Sequence, residues 1–504
     1  MPAAIRPSCR WLVIATLAAL AVVVATPASA IADPPPSAAE AEEALAAASD
    51  ALAPGDETAG DDPTLALIEL ADALPALEGA DLRRARALLA RPTGGAPGGY
   101  TAPPGHTHSW PAPGGAFCVT WVSSTPDRPD PTDSDDNGVP DYVEEIATVA
   151  EHSRQVQVDE LDWSGPRPNL RPECGDPARA DIYLADLGSD GIFGYMATDP
   201  GQSSKRRRAG YLIVDNNYSP AQFPGFAEPL DAARVTIAHE FNHLLQVAYS
   251  AWQDGWLFEA TATWAEERTY PELDDWLRFL PAFARNPGVP ITAAFGAGGL
   301  KPYGAGVWNH WLDHHYGPHV VREAWASSAL TSPRDFAVAA YRRSISRTGG
   351  RSFPAEFVRF AAASAEWRAG PLPDAARYPD VRRSGRIGRA QGRGFRLHHT
   401  GYRLLGVRAG GGGPIRLRAT APTGLRFGVA LVARRGGPVR GRVVRRVRFQ
   451  RRGGVASVSL RRPGRFNRIT AVVVNADPRA RGKLGGDWAY RRDGQRVGLR
   501  LADR

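Results

Sequence analysis

The sequence predicts an α+β protein in which a mixed sheet with helices is followed by a C-terminal all-β, sandwich-like domain. Short strand-like apolar runs lie before residue 216, and a helix-rich stretch extends from about residue 229 to 367. After residue 373, runs of Val, Ile and Leu recur roughly every ten residues, as in a β-sandwich. The chain has 504 residues, 43% hydrophobic and 23% charged, which excludes a disordered or fibrous protein and allows several domains.

Charge is divided unevenly along the chain. Residues 381–504 contain 32 Lys and Arg against 4 Asp and Glu, a net charge of +28. The rest of the chain therefore carries a net charge of −20 within the overall +8. Such asymmetry is typical of a modular chain. Only three of the 61 basic residues are lysines, which indicates a coding bias toward arginine as part of the cause.

The first segment has the layout of a secretory signal peptide. Arg6 and Arg10 precede an apolar run from Trp11 to Ala25, and the small residues 28–30 form a cleavage signal. The run is shorter than the roughly 20 residues that span a bilayer. We therefore expect residues 1–30 to be removed and the protein to be secreted without a membrane span.

Residues 31–95 are predicted to form an acidic helical leader. Leu65, Leu67, Leu70 and Leu74 recur at helical spacing. This leader is either a propeptide or an acidic spacer. Gly and Pro crowd residues 96–115, which predicts a linker before the next domain.

Two cysteines remain after the predicted signal peptide, Cys118 and Cys174. Exported proteins fold in an oxidising compartment, where an even number of cysteines is typical of disulfide bonding. The pair therefore favours one disulfide over a metal-binding or catalytic role.

Residues 133–144 match the calcium-loop pattern D-x-[DN]-x-[DN]-G-x5-E. Calcium binds about six to eight oxygen atoms in a flexible arrangement. The predicted ligands are oxygen atoms of Asp133, Asp135, Asn137, Val139, Asp141 and Glu144. A helix should follow from Asp141 to about Leu161, whereas the preceding prolines exclude the first helix of a full EF-hand. We expect a structural Ca²⁺ here, with a simple acidic turn as the alternative.

The motif H-E-x-x-H occupies residues 239–243, within a segment whose apolar residues predict a buried helix. His239 and His243 are four residues apart, so on a helix they share one face and can both reach a single zinc ion. Glu240 lies beside them and is the predicted general base toward a metal-activated water. The spacing therefore predicts a catalytic zinc site.

A catalytic zinc ion needs a third protein ligand and one open position. A second helix is predicted after the Asp254-Gly255 turn, and its candidate ligands are Glu259, Glu266 and Glu267. The residues alone leave this choice open.

The two helices together resemble the gluzincin metallopeptidases, in which H-E-x-x-H is followed by W-L-x-E-G-x-A. Residues 256–262 read W-L-F-E-A-T-A. The resemblance implies that Glu259 is the third zinc ligand, with Glu266 as the alternative. The sequence is closer still to secreted bacterial metalloproteases with a peptidase-MA-like catalytic domain, over roughly residues 117–367. It implies a gluzincin-like fold and hydrolysis of peptide bonds.

Two further strings bear on the resemblance. Residues 302–312 resemble the P-Y-E-K-G helix of gluzincin aminopeptidases, whose tyrosine stabilises the developing oxyanion, which implies a catalytic role for Tyr303. The alternative is a tyrosine that packs against the core. Aminopeptidases of the clan also carry G-x-M-E-N, whereas residues 194–198 read G-Y-M-A-T and lack the glutamate. The difference favours an endopeptidase.

The sequence thus predicts a secreted zinc endopeptidase acting on a protein or peptide substrate. Its catalytic domain would span residues 116–372, and an Arg-rich accessory domain would span 385–504. The alternative is a non-catalytic exported protein with a vestigial zinc site, whose basic domain binds an anionic polymer of the cell envelope. No nucleic-acid partner is expected, because the basic domain shows no recognised motif with interleaved aromatics.

Overall fold

The computed structural model describes residues 36–53, 63–94, 99–200, 202, 206–226, 228–293, 299–329, 336–410, 413–484 and 487–503. The predicted signal peptide, residues 1–30, lies outside the described residues. The helices are α1 (Ala38–Ala51), α2 (Pro63–Ala73), α3 (Gly79–Leu88), α4 (Asp141–Arg154), α5 (Pro229–Ser250), α6 (Gly255–Thr269), α7 (Leu280–Arg285), α8 (Lys301–Gly304), α9 (Gly306–Tyr316), α10 (His319–Ala329), α11 (Ala337–Arg347) and α12 (Phe353–Ser364).

The strands are β1 (Thr107–Pro111), β2 (Phe117–Val122), β3 (Ala180–Ala185), β4 (Gly194–Thr198), β5 (Gly210–Asp215), β6 (Arg386–Gly388), β7 (Gly392–Leu397), β8 (Tyr402–Arg408), β9 (Ile415–Ala421), β10 (Phe427–Arg435), β11 (Arg442–Gln450), β12 (Gly454–Leu460), β13 (Arg468–Asn475), β14 (Ala480–Leu484), β15 (Asp487–Tyr490) and β16 (Gln495–Asp503). The chain is therefore mixed α and β with a β-rich C-terminal region, as the sequence predicts.

The N-terminal sheet has the strand order β1-β2-β3-β5-β4. Strands β2, β3 and β5 run parallel, whereas β1 and β4 pair antiparallel at the two edges. Every residue of β2, β3 and β5 is buried, which explains their near-continuous apolar sequences. Part of the predicted linker 96–115 is a strand, β1, because all of Thr107–Pro111 pairs antiparallel with β2.

The two faces of this sheet bury different helices. Ile182, Leu212 and Val214 point into a core that includes residues of α4 and α5. Tyr183 and Tyr211, one position away on β3 and β5, pack instead with α1, α2 and α3. The acidic leader is helical as predicted, and it also forms a layer of the domain by covering one face of the sheet.

The calcium-loop helix and the disulfide both lie beside this sheet. Helix α4 begins at Asp141, as predicted, and a π-helical turn extends it over Gln155–Glu160. Cys118 on β2 and Cys174 are joined by a disulfide with a Cα–Cα distance of 5.9 Å, which confirms the predicted pairing.

The C-terminal region contains two main sheets, with strand orders β11-β10-β13-β8-β6 and β12-β9-β16-β7. Leu417, Leu431 and Leu499, from both sheets, belong to one hydrophobic cluster between them. The opposite face of the first sheet carries Val432 and Val472, which belong to the same cluster as the helical region. Among the described residues, no helix combines the length and apolarity needed to cross a membrane.

Candidate metal centre

The site is built on two buried helices that pack directly against each other, α5 and α6. Helix α5 starts with Pro229, which is favoured at the first helical position, and has Asp231 in its first turn, where an acid interacts well with the helix dipole. All residues from Val235 to Ser250 are buried. The motif therefore lies on a rigid helix in the interior.

His239 and His243 lie one turn apart on α5, with ring centroids 4.6 Å apart. The Glu259 carboxylate of α6 faces both rings, with Oε2 3.2 Å from His239 Nε2 and Oε1 3.6 Å from His243 Nε2. His243 Nε2 is buried and has no hydrogen-bond partner among the described residues. His239, Glu240 and His243 also each place a potential ligand atom within 4.8 Å of the other two.

The other nitrogen of each ring is held by a side chain. Glu266 Oε1 lies 2.5 Å from His239 Nδ1, and Gln246 Oε1 lies 2.8 Å from His243 Nδ1. Such contacts fix the orientation of a metal-binding imidazole and leave the Nε2 atom for the metal. Glu266, which the sequence offers as the alternative third ligand, therefore contacts His239 Nδ1, whereas Glu259 contacts His239 Nε2.

These residues fit a zinc ion in their chemistry. Zinc in proteins prefers imidazole nitrogen and carboxylate oxygen, and a catalytic site has three such ligands. The buried His243 Nε2, which lacks a hydrogen-bond partner among the described residues, is a polar atom that a metal ion would satisfy. Glu259 and the two histidines supply that ligand set.

The two imidazoles differ in their affinity for protons. Burial, followed by the charge of His239, lowers the pKa of His243 well below its usual range. Burial has the same tendency at His239, but hydrogen bonds with Glu259 and Glu266 outweigh it and raise the pKa of His239 well above its usual range. A metal ion must therefore displace a proton from His239, whereas His243 is already neutral.

Glu240, the predicted general base, is 4% exposed and contacts the leader. Thr64 of α2 donates its hydroxyl to Glu240 Oε2 at 3.0 Å, and the same hydroxyl accepts the backbone N–H of Met196 on β4 at 2.9 Å. The sequence does not identify Thr64, because 176 residues separate it from Glu240 and it belongs to no motif.

Tyr303 lies next to the two-helix site. Its ring centroid is 5.8 Å from that of His239, and it stacks on Phe279 at 4.8 Å. The side chain is half-buried at the start of the helical region α8–α9. The structure thus brings the predicted oxyanion residue to the predicted metal ligands.

The predicted calcium loop, residues 133–144, folds as a tight turn and precedes the H-E-x-x-H motif in the sequence. Gly138 has φ of +87°, and its N–H donates to Asp133 Oδ2 at 2.8 Å. The Asn137 amide donates to Asp135 and Glu144, at 3.0 and 2.9 Å. Asp141 instead accepts from Ser134. Among the described residues, no three carboxylates of this loop bring an oxygen each within 4.8 Å of one another.

Comparisons with known proteins add no assignment. No protein-family model matches the chain, and no curated protein matches it. The gluzincin resemblance therefore depends on the residues of α5, α6 and α8 and on the geometry described above.

Proposed function

We propose that the chain is a secreted zinc endopeptidase with a gluzincin-like catalytic region. The observation that carries the proposal is the convergence of Glu259 on the Nε2 atoms of both histidines of H-E-x-x-H, with Glu240 beside them. The disulfide supports export, because such bonds persist in oxidising compartments.

Each residue has a distinct role in this proposal. His239, His243 and Glu259 would hold zinc, which supplies Lewis-acid polarisation of a carbonyl and lowers the pKa of water. Glu240 accepts a proton from the attacking water on its carboxylate and passes it to the leaving amine nitrogen. Tyr303 donates its hydroxyl to the developing oxyanion.

Strand β4 supports an endopeptidase rather than an aminopeptidase. Its residues, Gly194–Thr198, correspond to the string in which aminopeptidases place a glutamate that binds the substrate amine. Here Ala197 stands in that place. An antiparallel edge strand without this acid can accept the middle of an extended peptide.

A second candidate is the non-catalytic exported binding protein, and one surface favours it. The outward face of the sheet β12-β9-β16-β7 carries five exposed arginines at paired or adjacent positions, Arg396, Arg416, Arg418, Arg496 and Arg500. A basic face of this kind attracts anionic polymers. This candidate requires no activity at the zinc site.

Metal analysis combined with proteolysis separates the two candidates. Zinc-loaded protein and its Glu240→Gln variant are incubated with unfolded casein, and peptide products are followed by mass spectrometry. We expect both proteins to hold zinc, and the variant to lose about 10²- to 10⁴-fold in rate, as for loss of a general base. Equal inactivity of both, at full zinc occupancy and after release of the leader, would favour the binding protein.

A further inference from the structure

We propose that helix α2 of the leader is an inhibitory element that occupies the catalytic cleft of the proposed endopeptidase. The inference rests on the proposed function and specifies how that same site is regulated. It starts from Thr64, which is fully buried between the predicted general base and the edge strand β4.

Thr64 engages two groups that a peptide substrate needs. Its hydroxyl donates to Glu240 Oε2, which must be available to accept a proton from water. It also accepts the Met196 N–H, at the edge where an extended peptide would add to the sheet. Leu65, the next residue of α2, packs against the start of α6. A Cβ atom added to Gly255, the first residue of α6, would lie only 3.0 Å from the Leu65 side chain. The start of α2 therefore fills the space between α5, α6 and β4.

The far end of α2 is fastened to the catalytic region. Asp72 pairs with Arg208 and accepts the indole N–H of Trp252 at 3.1 Å. The leader is fastened again at Arg91, which is 4% exposed and pairs with Asp181 and Asp199. These anchors keep α2 at a high effective concentration beside the cleft, and the Thr64 hydrogen bonds add to them in setting how often the cleft is open.

Substitutions at Thr64 test the proposal by the sign of their effect. Thr64→Val keeps the branched shape and removes the hydroxyl, whereas Thr64→Ser keeps the hydroxyl. A hydrogen bond to a buried charged group is worth enough for its loss to change a population about tenfold or more. We expect Thr64→Val to increase casein cleavage about tenfold or more, and Thr64→Ser to stay near the wild type.

A second variant covers the case in which Thr64→Val fails to fold. Asp72→Asn weakens the anchor to Arg208 and should also increase cleavage, whereas weakening a purely structural contact would lower activity. Glu40→Gln is the matched control, because Glu40 lies in an exposed capping contact of α1, away from the cleft. Its activity should equal that of the wild type.

The outcomes separate the two proposals. Wild-type activity equal to that of folded Thr64→Val and Asp72→Asn would overturn inhibition by α2 and leave the endopeptidase standing. Absence of cleavage by every variant at full zinc occupancy would overturn the endopeptidase and the inhibition with it. A selective increase in Thr64→Val, abolished by adding Glu240→Gln, would support both.

A different cluster, independent of the peptidase activity, leads us to infer a second cation site for a hard divalent ion such as Ca²⁺. Glu267 at the end of α6, Asp274 and Asp374 each place a carboxylate oxygen within 4.8 Å of the other two. The three residues come from separate segments, and Asp374 lies between α12 and the β-rich region. Such a site would tie the end of the helical region to α6.

Two buried oxygen atoms that lack a hydrogen-bond partner in the described part of the chain point to a ligand there. Tyr378 is 1% exposed and its hydroxyl has no hydrogen-bond partner among the described residues. Burial and then the charges of Asp374, Glu267 and Asp274 raise the pKa of Tyr378, so the three carboxylates act electrostatically on its hydroxyl. Glu267 is 8% exposed, and its Oε2 likewise lacks a partner among the described residues.

The charge of the cluster also suits a divalent cation. Three carboxylates are opposed by Arg377, which pairs with Asp274 from a largely exposed position. Calcium takes carboxylate, carbonyl and water oxygens in flexible numbers, which suits a cluster of three acids. Glu267 is buried, Asp274 is partly buried and Asp374 is exposed. Without a cation, the two like charges beside the buried Glu267 disfavour its ionised form.

Terbium luminescence tests this site directly, because aromatic side chains near a bound Tb³⁺ transfer excitation energy to it. Tyr378 is one such side chain, and the ring centroid of Trp276 lies 5.4 Å from that of Tyr378. The zinc-loaded protein carries Asp133→Asn and Glu144→Gln, which disable the predicted calcium loop. We expect this background to bind one Tb³⁺, displaced by Ca²⁺, and Glu267→Gln to weaken binding at least tenfold. Glu272→Gln, an exposed acid nearby, is the control and should leave binding unchanged.

Thermal melting provides a second measurement. Burial and neighbouring acids raise the pKa of Glu267 to about 8. Glu267→Gln should raise the Tm in chelator above that pH, where it removes a buried charge, and should abolish the increase in Tm on adding Ca²⁺. Asp374→Asn serves as the second variant if Glu267→Gln does not fold. Absence of Tb³⁺ binding in the loop-disabled background, or binding unaffected by either substitution, would overturn the inference.

Discussion

Two glutamates on α6 contact opposite nitrogens of the same imidazole. Glu259 faces His239 Nε2 at 3.2 Å, and Glu266 faces Nδ1 at 2.5 Å. Seven residues, or nearly two helical turns, separate them, so both point toward α5. The geometry favours Glu259 as ligand and Glu266 as the residue that orients the ring, a distinction that the sequence leaves open.

Substitution of the two glutamates should therefore affect zinc differently. We expect Glu266→Gln to lower zinc affinity about 10- to 100-fold, as is typical of an orienting partner. Glu259→Gln should lower it further, because a ligand is lost. Competition titration with a chromogenic chelator measures both, and a larger loss in Glu266→Gln would reverse the assignment.

Zinc affinity should also depend on pH through His239. The raised pKa of His239 means that its protonated form stabilises the folded, metal-free protein. This contribution to stability is fully present below pH about 6.5, and it is lost as the pH rises through the folded-state pKa. A proton competes with the metal, so we expect affinity to increase with pH across the neutral range. Affinity that is constant with pH, after correction for the chelator, would contradict the proton competition.

At the level of single residues, the sequence predicts those that belong to a motif. The spacing of His239 and His243 and the W-L-x-E string identify residues that the fold brings together. No motif predicts Thr64 or Gln246. Gln246 is an ordinary helical glutamine, and Thr64 reaches Glu240 only through the packing of the leader.

At the level of elements, local pattern predicts strands and helices well where one face or a whole strand is buried. The apolar runs of β3, β5, β10 and β13 are examples. The same patterns do not predict which elements pack together. Strand β1 lies in a segment rich in Gly and Pro, and its position depends on pairing with β2. The leader helices form a layer on the sheet through tertiary contacts with Tyr183 and Tyr211.

Arg91 provides a test of how firmly the leader is attached. It is buried between Asp181 and Asp199, and Asn169 accepts a further hydrogen bond from it at 2.8 Å. Arg91→Met would leave two buried carboxylates without their cation, which typically costs about 3–5 kcal/mol. We expect a loss of that size in urea unfolding. The exposed Arg83→Met should change stability by less than about 0.5 kcal/mol.

At the level of the whole molecule, the helical region and the β-rich region share an interface. Val358 of α12 lies against Gly428 of β10, and Glu366 is buried among Arg434, Arg468 and Arg383. Val432 and Val472 belong to the same hydrophobic cluster as the helices. The sequence predicts separate modules from the charge asymmetry, but composition cannot predict an interface whose apolar faces are matched in space.

This interface predicts that the two regions unfold together. Of the 13 tryptophans, 11 lie between residues 110 and 367, so fluorescence reports on the helical region and its sheet. Far-UV circular dichroism also reports on the β-rich region. We expect the two signals to give the same midpoint in urea, within experimental error. Separate midpoints would show that the regions unfold independently.

The leader's position on the sheet has a consequence for solubility. Tyr183, Tyr211 and Ile213 are at most 3% exposed because α1, α2 and α3 cover them. A shortened protein that starts after residue 99 would present these side chains as a broad apolar patch, and such patches promote aggregation. The leader therefore has a structural role on the sheet in addition to the contact between Thr64 and Glu240.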